Sequence, residues 1–355
     1  MGKLAVYKYV SFLFLITTFL LSAFTFFGLF GGNVQPAGNM ARAMLVYALP
    51  LLIIGDLVML VYWLLRRRWH WAVIPFVTIL CCIPYVGTIY QLRSADKHAQ
   101  SKSGLTIATY NVARFNNETT GFIAQDILAQ MKKQNVDVLC LQEYNDVSGD
   151  KKNSESYKDY FPYMAKGKDD MMIFSRYPIS ASKTLEFEET NNSAMWADID
   201  INSQLFRFVN VHLETTGFNR TMRKAANIQA QGVNVENNRL LKAIYGNYTI
   251  GMMVRAGQAI TIRNELMMNN DEDRTLIVCG DFNDVPYSYV YNTMLGDNLI
   301  DGFKECGSGW MHTYRGKKGA RIDYIFHDES VKGLTYYMQE LSYSDHYPVY
   351  MKVEY

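Results

Sequence analysis

Hydropathy changes once along this chain, near residue 100, and the material on either side of that point cannot fold by the same rules. Residues 7–30, 43–65 and 69–90 are almost continuously apolar, and each reaches the ~20 residues that a helix needs to cross a hydrocarbon core. The expectation is three transmembrane helices. Lys3 and Lys8 give the first stretch the basic start of a signal peptide. Its apolar run, however, exceeds the ~7–15 residues of a signal core, and two further spans follow it. Asp56 falls mid-span, where an ionisable group is costly and usually faces other helices. The expected role of Asp56 is structural, bundled among helices.

Basic residues near the spans set the orientation, because cytoplasmic loops carry the excess of Lys and Arg. Lys3, Lys8, Arg66, Arg67 and Arg68 lie on one side, against Arg42, Arg93, Lys97 and Lys102 on the other. The Arg66–Arg68 block directly abuts two spans, which favours a cytoplasmic N-terminus. The C-terminal part then lies outside the cytoplasm, the periplasm if the span crosses a Gram-negative inner membrane. The five cysteines imply no disulfide framework: Cys81 and Cys82 fall in the third span, Cys140 and Cys279 end apolar runs, and Cys306 stands alone.

From residue 105 onward there are 26 Lys plus Arg against 32 Asp plus Glu, a formal charge of −6. A general nucleic-acid binder would carry a basic face instead, so this balance weighs against that class. Short apolar runs at 105–110, 136–141, 171–174, 196–201, 205–212, 275–279, 321–326 and 349–353 read as strands bounded by polar or turn residues. Helical spacing appears at 121–134, through Phe122, Ile123, Ile127, Leu128 and Met131, and at 251–268, through Met252, Met253, Ala256, Ile260 and Leu266. Residues 213–250 are rich in Asn and Gln, with little periodicity before 238–245, and read as an excursion beside a site. Many short strands with a few helices suggest two packed sheets with helices outside.

Five polar signatures close these apolar runs: Tyr110-Asn111, Gln142-Glu143, Asn210-Val211-His212, Gly280-Asp281-Phe282-Asn283-Asp284 and Ser344-Asp345-His346. Strand ends are where rigid sites are built. The amide of Asn111 and the carboxylate of Glu143 suit Mg²⁺, which takes few protein ligands and keeps several waters. Asp281 and Asn283, two residues apart behind a turn glycine, can orient a water and a phosphoryl oxygen, although the same residues also build a plain Asx turn. His212 and His346 can each move a proton or hold charge on phosphate. His70, His98, His312 and His327 lack such a context and read as structural or surface residues. Asp323, inside the 321–326 run, would be buried and needs a partner, and His346 is the candidate, since a carboxylate fixes an imidazole's tautomer.

In this order the signatures resemble the endonuclease/exonuclease/phosphatase family, whose members include pancreatic-type deoxyribonucleases, abasic-site endonucleases, inositol-polyphosphate phosphatases and neutral sphingomyelinases. The resemblance covers residues 105–355 and implies a four-layered α/β sandwich, two mainly antiparallel sheets flanked by helices. It further implies Asn111 and Glu143 as Mg²⁺ ligands, with Mn²⁺ the alternative ion, and Asp345 as an acidic neighbour reaching the metal. His212 looks like the phosphate-binding histidine. Asp281 and Asn283 look like the pair that orients attacking water, and Asp323 like the carboxylate paired with the catalytic His346. The tryptophan- and arginine-containing signatures typical of inositol 5-phosphatases are absent. A carboxylate supporting His212 has no firm match, Asp169 and Asp170 being the nearest in sequence.

The expected organisation is therefore a membrane anchor at 1–92, a linker at 93–104 and a catalytic domain at 105–355. The expected activity is Mg²⁺-dependent hydrolysis of phosphodiesters in nucleic acid or phospholipid headgroups, by in-line attack of a water activated by the His346/Asp323 pair and Asp281. The competing reading, a silent binding or scaffold module, predicts gaps in the catalytic set, and Asn111, Glu143, His212, Asp281, Asn283, Asp323 and His346 are all present.

Overall fold

A computed structural model describes residues 3–94, 102–113, 124–144, 157–168, 171–187, 190, 192–231, 236–267, 274–316 and 319–355. Most of the linker, His98, Asp169 and Asp170 lie outside the described residues. The chain divides into two compact units, residues 1–88 with 285–292, and residues 89–284 with 293–355.

The first unit contains helices α1 (Lys3–Leu29), α2 (Met40–Leu65), α3 (Trp69–Cys81) and α4 (Ile83–Val86). Three segments, Tyr7–Asn33, Met40–Leu65 and Trp69–Val86, are long and apolar enough to cross a membrane. The third stops short of residue 90. It breaks after Cys81, where Pro84 at the start of α4 has no N–H to continue the helical ladder. Thr18, Ser22 and Thr25 share one face of α1 and are buried. Ser22 and Thr25 donate to the two oxygens of Asp56 at 2.9 and 2.6 Å, and Trp63 Nε1 donates to Thr18 Oγ1 at 2.9 Å. Asp56 is thus buried and hydrogen-bonded across two helices, as a buried polar group on an apolar helix requires.

The second unit begins with β1 (Tyr90–Gln91) and β2 (Leu105–Asn111), followed by α5 (Ala124–Lys133), β3 (Val138–Gln142), β4 (Tyr163–Lys166) and β5 (Met172–Ser175). Next come β6 (Ile179–Glu186), β7 (Ser193–Ile201), β8 (Gln204–His212), α6 (Phe218–Ala230), α7 (Asn237–Ile262) and β9 (Thr275–Asp281). The chain continues through α8 (Tyr289–Leu295), β10 (Ile300–Asp301), α9 (Gly302–Cys306), β11 (Gly309–Trp310), β12 (Asp323–His327), β13 (Lys332–Met338) and β14 (Val349–Glu354). Two six-stranded mixed sheets result, ordered β10-β12-β9-β8-β7-β6 and β13-β14-β2-β3-β5-β4, with β1 and β11 forming a separate pair. Each large sheet is antiparallel except for one central parallel pair, β8 with β9 and β2 with β3. This is the two-sheet, helix-flanked architecture expected from the strand pattern.

Alternation along β2 shows how the layers form. Leu105 and Ile107 point into a core shared with Phe206, Phe208, Ile277, Cys279 and Ile325 of the other sheet. Ala108 and Tyr110 point the other way, onto Ile127, Leu128 and Met131 of α5. Because both faces are covered, the central strands read as unbroken apolar runs rather than as alternating ones. Gly280 allows β9 to lie against β8: it has φ +135°, and a Cβ there would come within 2.0 Å of the Val211 carbonyl oxygen. No L side chain fits both demands.

One helix differs from expectation. Residues 237–262 form a single helix, although the sequence shows helical spacing only at 238–245 and from 251. Gly246 and Gly251 interrupt the pattern, each at a cost of about 1 kcal/mol in helix propensity. Without a proline, packing of the C-terminal half carries the helix through both.

The loops after the strands are held by buried ion pairs. Arg321 donates to both oxygens of Asp301 at 2.7 and 2.6 Å, among the rings of Phe303, Tyr324 and Tyr336. Both side chains are fully buried, so removing one strands the other's charge. Arg321→Ala is expected to lower unfolding stability by about 3–5 kcal/mol, measurable by chemical denaturation. Glu305 bonds His327 Nε2 at 2.8 Å and the Gly333 N–H at 2.9 Å. Partial burial alone would raise its pKa, but these partners outweigh burial and hold it below the ordinary 4.5. A depressed carboxylate stabilises the fold above its unfolded pKa, and that contribution is lost as pH falls through the folded value. Denaturation midpoints should therefore drop as pH falls below 4.5, with a shallower acid slope in Glu305→Gln.

Candidate active site

The residues that end the central strands meet at one edge of the two sheets. In register, Asp281 lies beside His212 of parallel β8 and beside Asp323 of antiparallel β12. On the facing sheet Asn111 pairs with Gln142 of parallel β3, and Glu143 follows it. Parallel pairing of β2 with β3 and of β8 with β9 sends all four C-terminal ends the same way within each sheet, which is why four separate signatures can converge.

Asn111 joins the two sheets. Its Nδ2 donates to Glu143 Oε1 at 3.1 Å and to Asp281 Oδ2 at 3.0 Å, while its Oδ1 accepts from the Ala113 N–H at 3.0 Å. His212 is buried, with Nε2 3.8 Å from Glu143 Oε1. Asn283 is tied to the same group. Its backbone N–H donates to Asp281 Oδ1 at 2.8 Å, and its Nδ2 donates to the Leu213 carbonyl at 2.9 Å and to Asp281 Oδ2 at 3.2 Å. Glu143 and Asn283 both have φ near +51°, a conformation unfavourable for L side chains that is held here by these bonds.

His346 Nδ1 lies 3.0 and 3.2 Å from the two oxygens of Asp323, which orients the ring and leaves Nε2 3.7 Å from Asp281 Oδ2. Burial disfavours a charged His346, but the Asp323 and Asp281 carboxylates outweigh it and push its pKa up to about 10. Burial raises Asp281 above the ordinary carboxylate range, against the opposing pull of His346. The cluster therefore presents an imidazolium beside a carboxylate able to take up a proton near neutral pH.

Asp281, Asp323 and His346 offer ligand atoms within 4.8 Å of one another. His346 Nδ1 is already committed to Asp323, which suits proton handling better than coordination. The better fit for a hard cation is the Glu143 carboxylate, only partly buried, beside the Asn111 amide, whose oxygen would have to exchange places with Nδ2, now turned toward Glu143, to join it. Asp345 is exposed and stands one step away, since Ser344 Oγ donates to the Asn111 carbonyl at 2.8 Å and lies 3.4 Å from Asp345 Oδ1.

The profile of the Endonuclease/Exonuclease/phosphatase family matches residues 108–346, which include the site residues from Asn111 to His346. The chain belongs to this family. Members of the Endonuclease/Exonuclease/phosphatase family are metal-dependent hydrolases of phosphoester bonds. A second profile, of a domain of unknown function (DUF8431), matches residues 11–89. Among solved structures, D. rerio TDP2 complexed with single-strand DNA product is similar at 17% identity and TM-score 0.51, over 72% of this chain and 100% of that one. Sphingomyelinase C from Streptomyces griseocarneus is similar at 16% identity and TM-score 0.50, over 71% and 99%. The endonuclease/exonuclease/phosphatase from Bacteroides vulgatus is similar at 17% identity and TM-score 0.51, over 71% and 99%. No curated protein matches the chain in sequence.

The family's site gains four supports here that the motif reading left without a role. Gln142 and Asn210 form an amide bridge between the sheets, Nε2 to Oδ1 at 2.6 Å, and both already stand in the signatures. Thr313 Oγ1 accepts from the Ile322 and Asp323 N–H groups at 3.0 Å, fixing the start of β12. Ser344 Oγ also accepts from the His346 N–H at 3.1 Å, tying the histidine turn to the end of β2. Arg255, fully buried on α7, places Nε 3.3 Å from Asp284 Oδ2 and donates Nη1 to the Glu214 carbonyl at 3.0 Å. Its only sequence signal is a charge on the apolar face of a helix.

Proposed function

We propose that this chain is a membrane-anchored, divalent-cation-dependent phosphodiesterase whose catalytic domain lies outside the cytoplasm, in the periplasm of an inner-membrane protein. The observation that carries this reading is the placing of Asp281 between His212 and Asp323 in register, with His346 bonded to Asp323 and with Asn111 bonded to both Asp281 and Glu143. Glu143 and Asn111 would hold Mg²⁺, with Asp345 reaching it from its exposed turn. When bound, the cation supplies charge neutralisation at a phosphoryl oxygen.

The remaining work falls to side chains. Asp281, raised by burial, accepts the proton of the attacking water, and Asn283 holds that carboxylate in place. His346, kept charged and oriented by Asp323, stabilises negative charge as it grows on phosphorus and its leaving oxygen. His212, from the end of β8, binds a phosphoryl oxygen. In-line attack by water then breaks one P–O ester bond, leaving a phosphomonoester and an alcohol.

The formal charge of −6 from residue 105 onward and the three apolar helices favour a phospholipid headgroup over nucleic acid as substrate. The test is a panel of duplex DNA, RNA, sphingomyelin and phosphatidylinositol phosphates, offered to the full-length protein with Mg²⁺. Release of a headgroup from lipid, faster than cleavage of either nucleic acid, is the expected result; cleavage of nucleic acid alone would overturn the substrate reading.

A further inference from the structure

Helices α6 and α7 occupy the excursion between the strands that carry His212 and Asp281. One line of side chains runs along α7 through Leu241, Tyr245, Met252, Ala256 and Ala259, at spacings of three, four and seven. From Met252 onward that line is buried against the domain. Its N-terminal continuation is not: Leu241 is 62% and Tyr245 56% exposed. The outer half of α7 thus projects an apolar face, braced to α6 by Asn247 Nδ2 donating to Thr221 Oγ1 at 2.7 Å.

Charge is segregated on the same element. From Phe218 to Ile262 the sequence carries six Lys or Arg and one acidic residue, Glu236, within a domain whose balance is otherwise acidic. Lys224, Arg239 and Lys242 are exposed. Arg239 is paired with Glu236 at 3.1 Å, which leaves Lys242 on α7 and Lys224 on α6 as the two of these cations without an ion pair among the described residues. Exposed Leu241 and Tyr245 beside Lys242 match the composition that lies in the headgroup layer of an anionic bilayer. Exposed Leu241 gains little from a phosphate backbone, whose attraction is electrostatic, but it gains the burial of its side chain in lipid.

We propose that the outer half of the α6–α7 hairpin is an interfacial docking element for an anionic phospholipid surface, an inference that rests on the membrane-anchored reading above. Its inner end reaches the site: Arg255 bonds Asp284 and the Glu214 carbonyl, and Gln258 Oε1 accepts from the Glu214 N–H at 2.9 Å. Docking therefore bears on the loops that carry Asp281 and follow His212, and it presents the site to headgroups rather than to the aqueous phase.

The experiment follows amide hydrogen exchange in the full-length protein, held in nanodiscs of phosphatidylcholine alone or mixed with phosphatidylglycerol. Exchange across 237–250 should slow about tenfold in the anionic discs only. The Leu241→Asp/Tyr245→Asp double variant, altered solely at exposed positions, should lose that slowing while exchange in β8 and β9 stays unchanged. Its hydrolysis of a water-soluble nitrophenyl diester should equal wild type, and its hydrolysis of anionic bilayer lipid should fall several-fold. Slowing in neither disc, equal slowing in both, or slowing produced by single-stranded DNA in place of anionic lipid would each overturn the proposal. A wild-type protein inert towards every ester yet showing composition-dependent slowing would count against the phosphodiesterase reading and leave the docking element standing.

Discussion

His346→Ala is expected to lower turnover of a phosphodiester by about 10²–10³, the usual worth of one preorganised charge-stabilising group, with little change in substrate affinity. The reason is geometric. His346 reaches the reaction through Nε2, with Nδ1 spent on both oxygens of Asp323, so nothing else in the described site can replace the charge it holds. Asp323→Asn supplies the discriminating comparison. An amide there keeps the shape but no longer raises the imidazole's pKa, and it offers an N–H to a nitrogen that already carries one. The Asn variant should lose a comparable share of turnover, and its residual rate should vary with pH at values where wild-type His346, its pKa pushed up to about 10, stays charged, since the Asp323 carboxylate no longer raises the imidazole. A flat profile in both enzymes would contradict the Asp323–His346 assignment. Apo His346→Ala should keep the wild-type fold by circular dichroism, because the ring is packed at the rim, against Tyr314, and not in either apolar core.

Glu143→Gln should separate binding of the cation from the proton chemistry. The substitution preserves size and removes the partly exposed carboxylate charge beside Asn111, while His212 and the buried Asp281 keep their positions at the strand ends. Losing an outer-shell partner typically costs about 10–100-fold in metal affinity, and losing a ligand's charge should exceed that. The half-saturating Mg²⁺ concentration for hydrolysis should therefore rise at least ~100-fold, with partial recovery of rate at high Mg²⁺. Isothermal titration with Mg²⁺ checks the same point without substrate. Unchanged Mg²⁺ dependence in Glu143→Gln would move the cation elsewhere, the Asp281–Asp323–His346 cluster being the first place to look.

The parts of this fold that sequence reading reaches are those where one physical demand dominates. Central strands such as β2, β3, β8 and β9 are covered on both faces, so their apolar runs are continuous and end abruptly at the polar residues of the site. The edge strand β6 leaves most of its side chains in water, and its run Ile179-Ser-Ala-Ser-Lys-Thr-Leu-Glu186 carries no such signal. The full extent of α7 is likewise hidden, because two glycines break a pattern that tertiary packing restores. Within the site, Asn111, Glu143, His212, Asp281, Asn283, Asp323 and His346 stand out because they sit at strand ends. Thr313 and Arg255 do not, and Ser344 stands in a signature without a legible role, since each acts through a partner distant in sequence: Thr313 on Asp323, Ser344 on Asn111, Arg255 on Asp284. Periodicity reports which face is buried, and it says nothing of a single hydrogen bond closed over such a separation.

The most direct test of the central claim is hydrolysis of a nitrophenyl phosphodiester by the full-length protein in ¹⁸O-labelled water, after chelation and then after return of Mg²⁺. The account predicts no turnover in the chelated protein, recovery with Mg²⁺, and the label in the phosphomonoester product, with His346→Ala recovering only about 10⁻²–10⁻³ of the wild-type rate. Turnover that survives chelation, or label found in the released nitrophenol, would contradict water attack on phosphorus at this site.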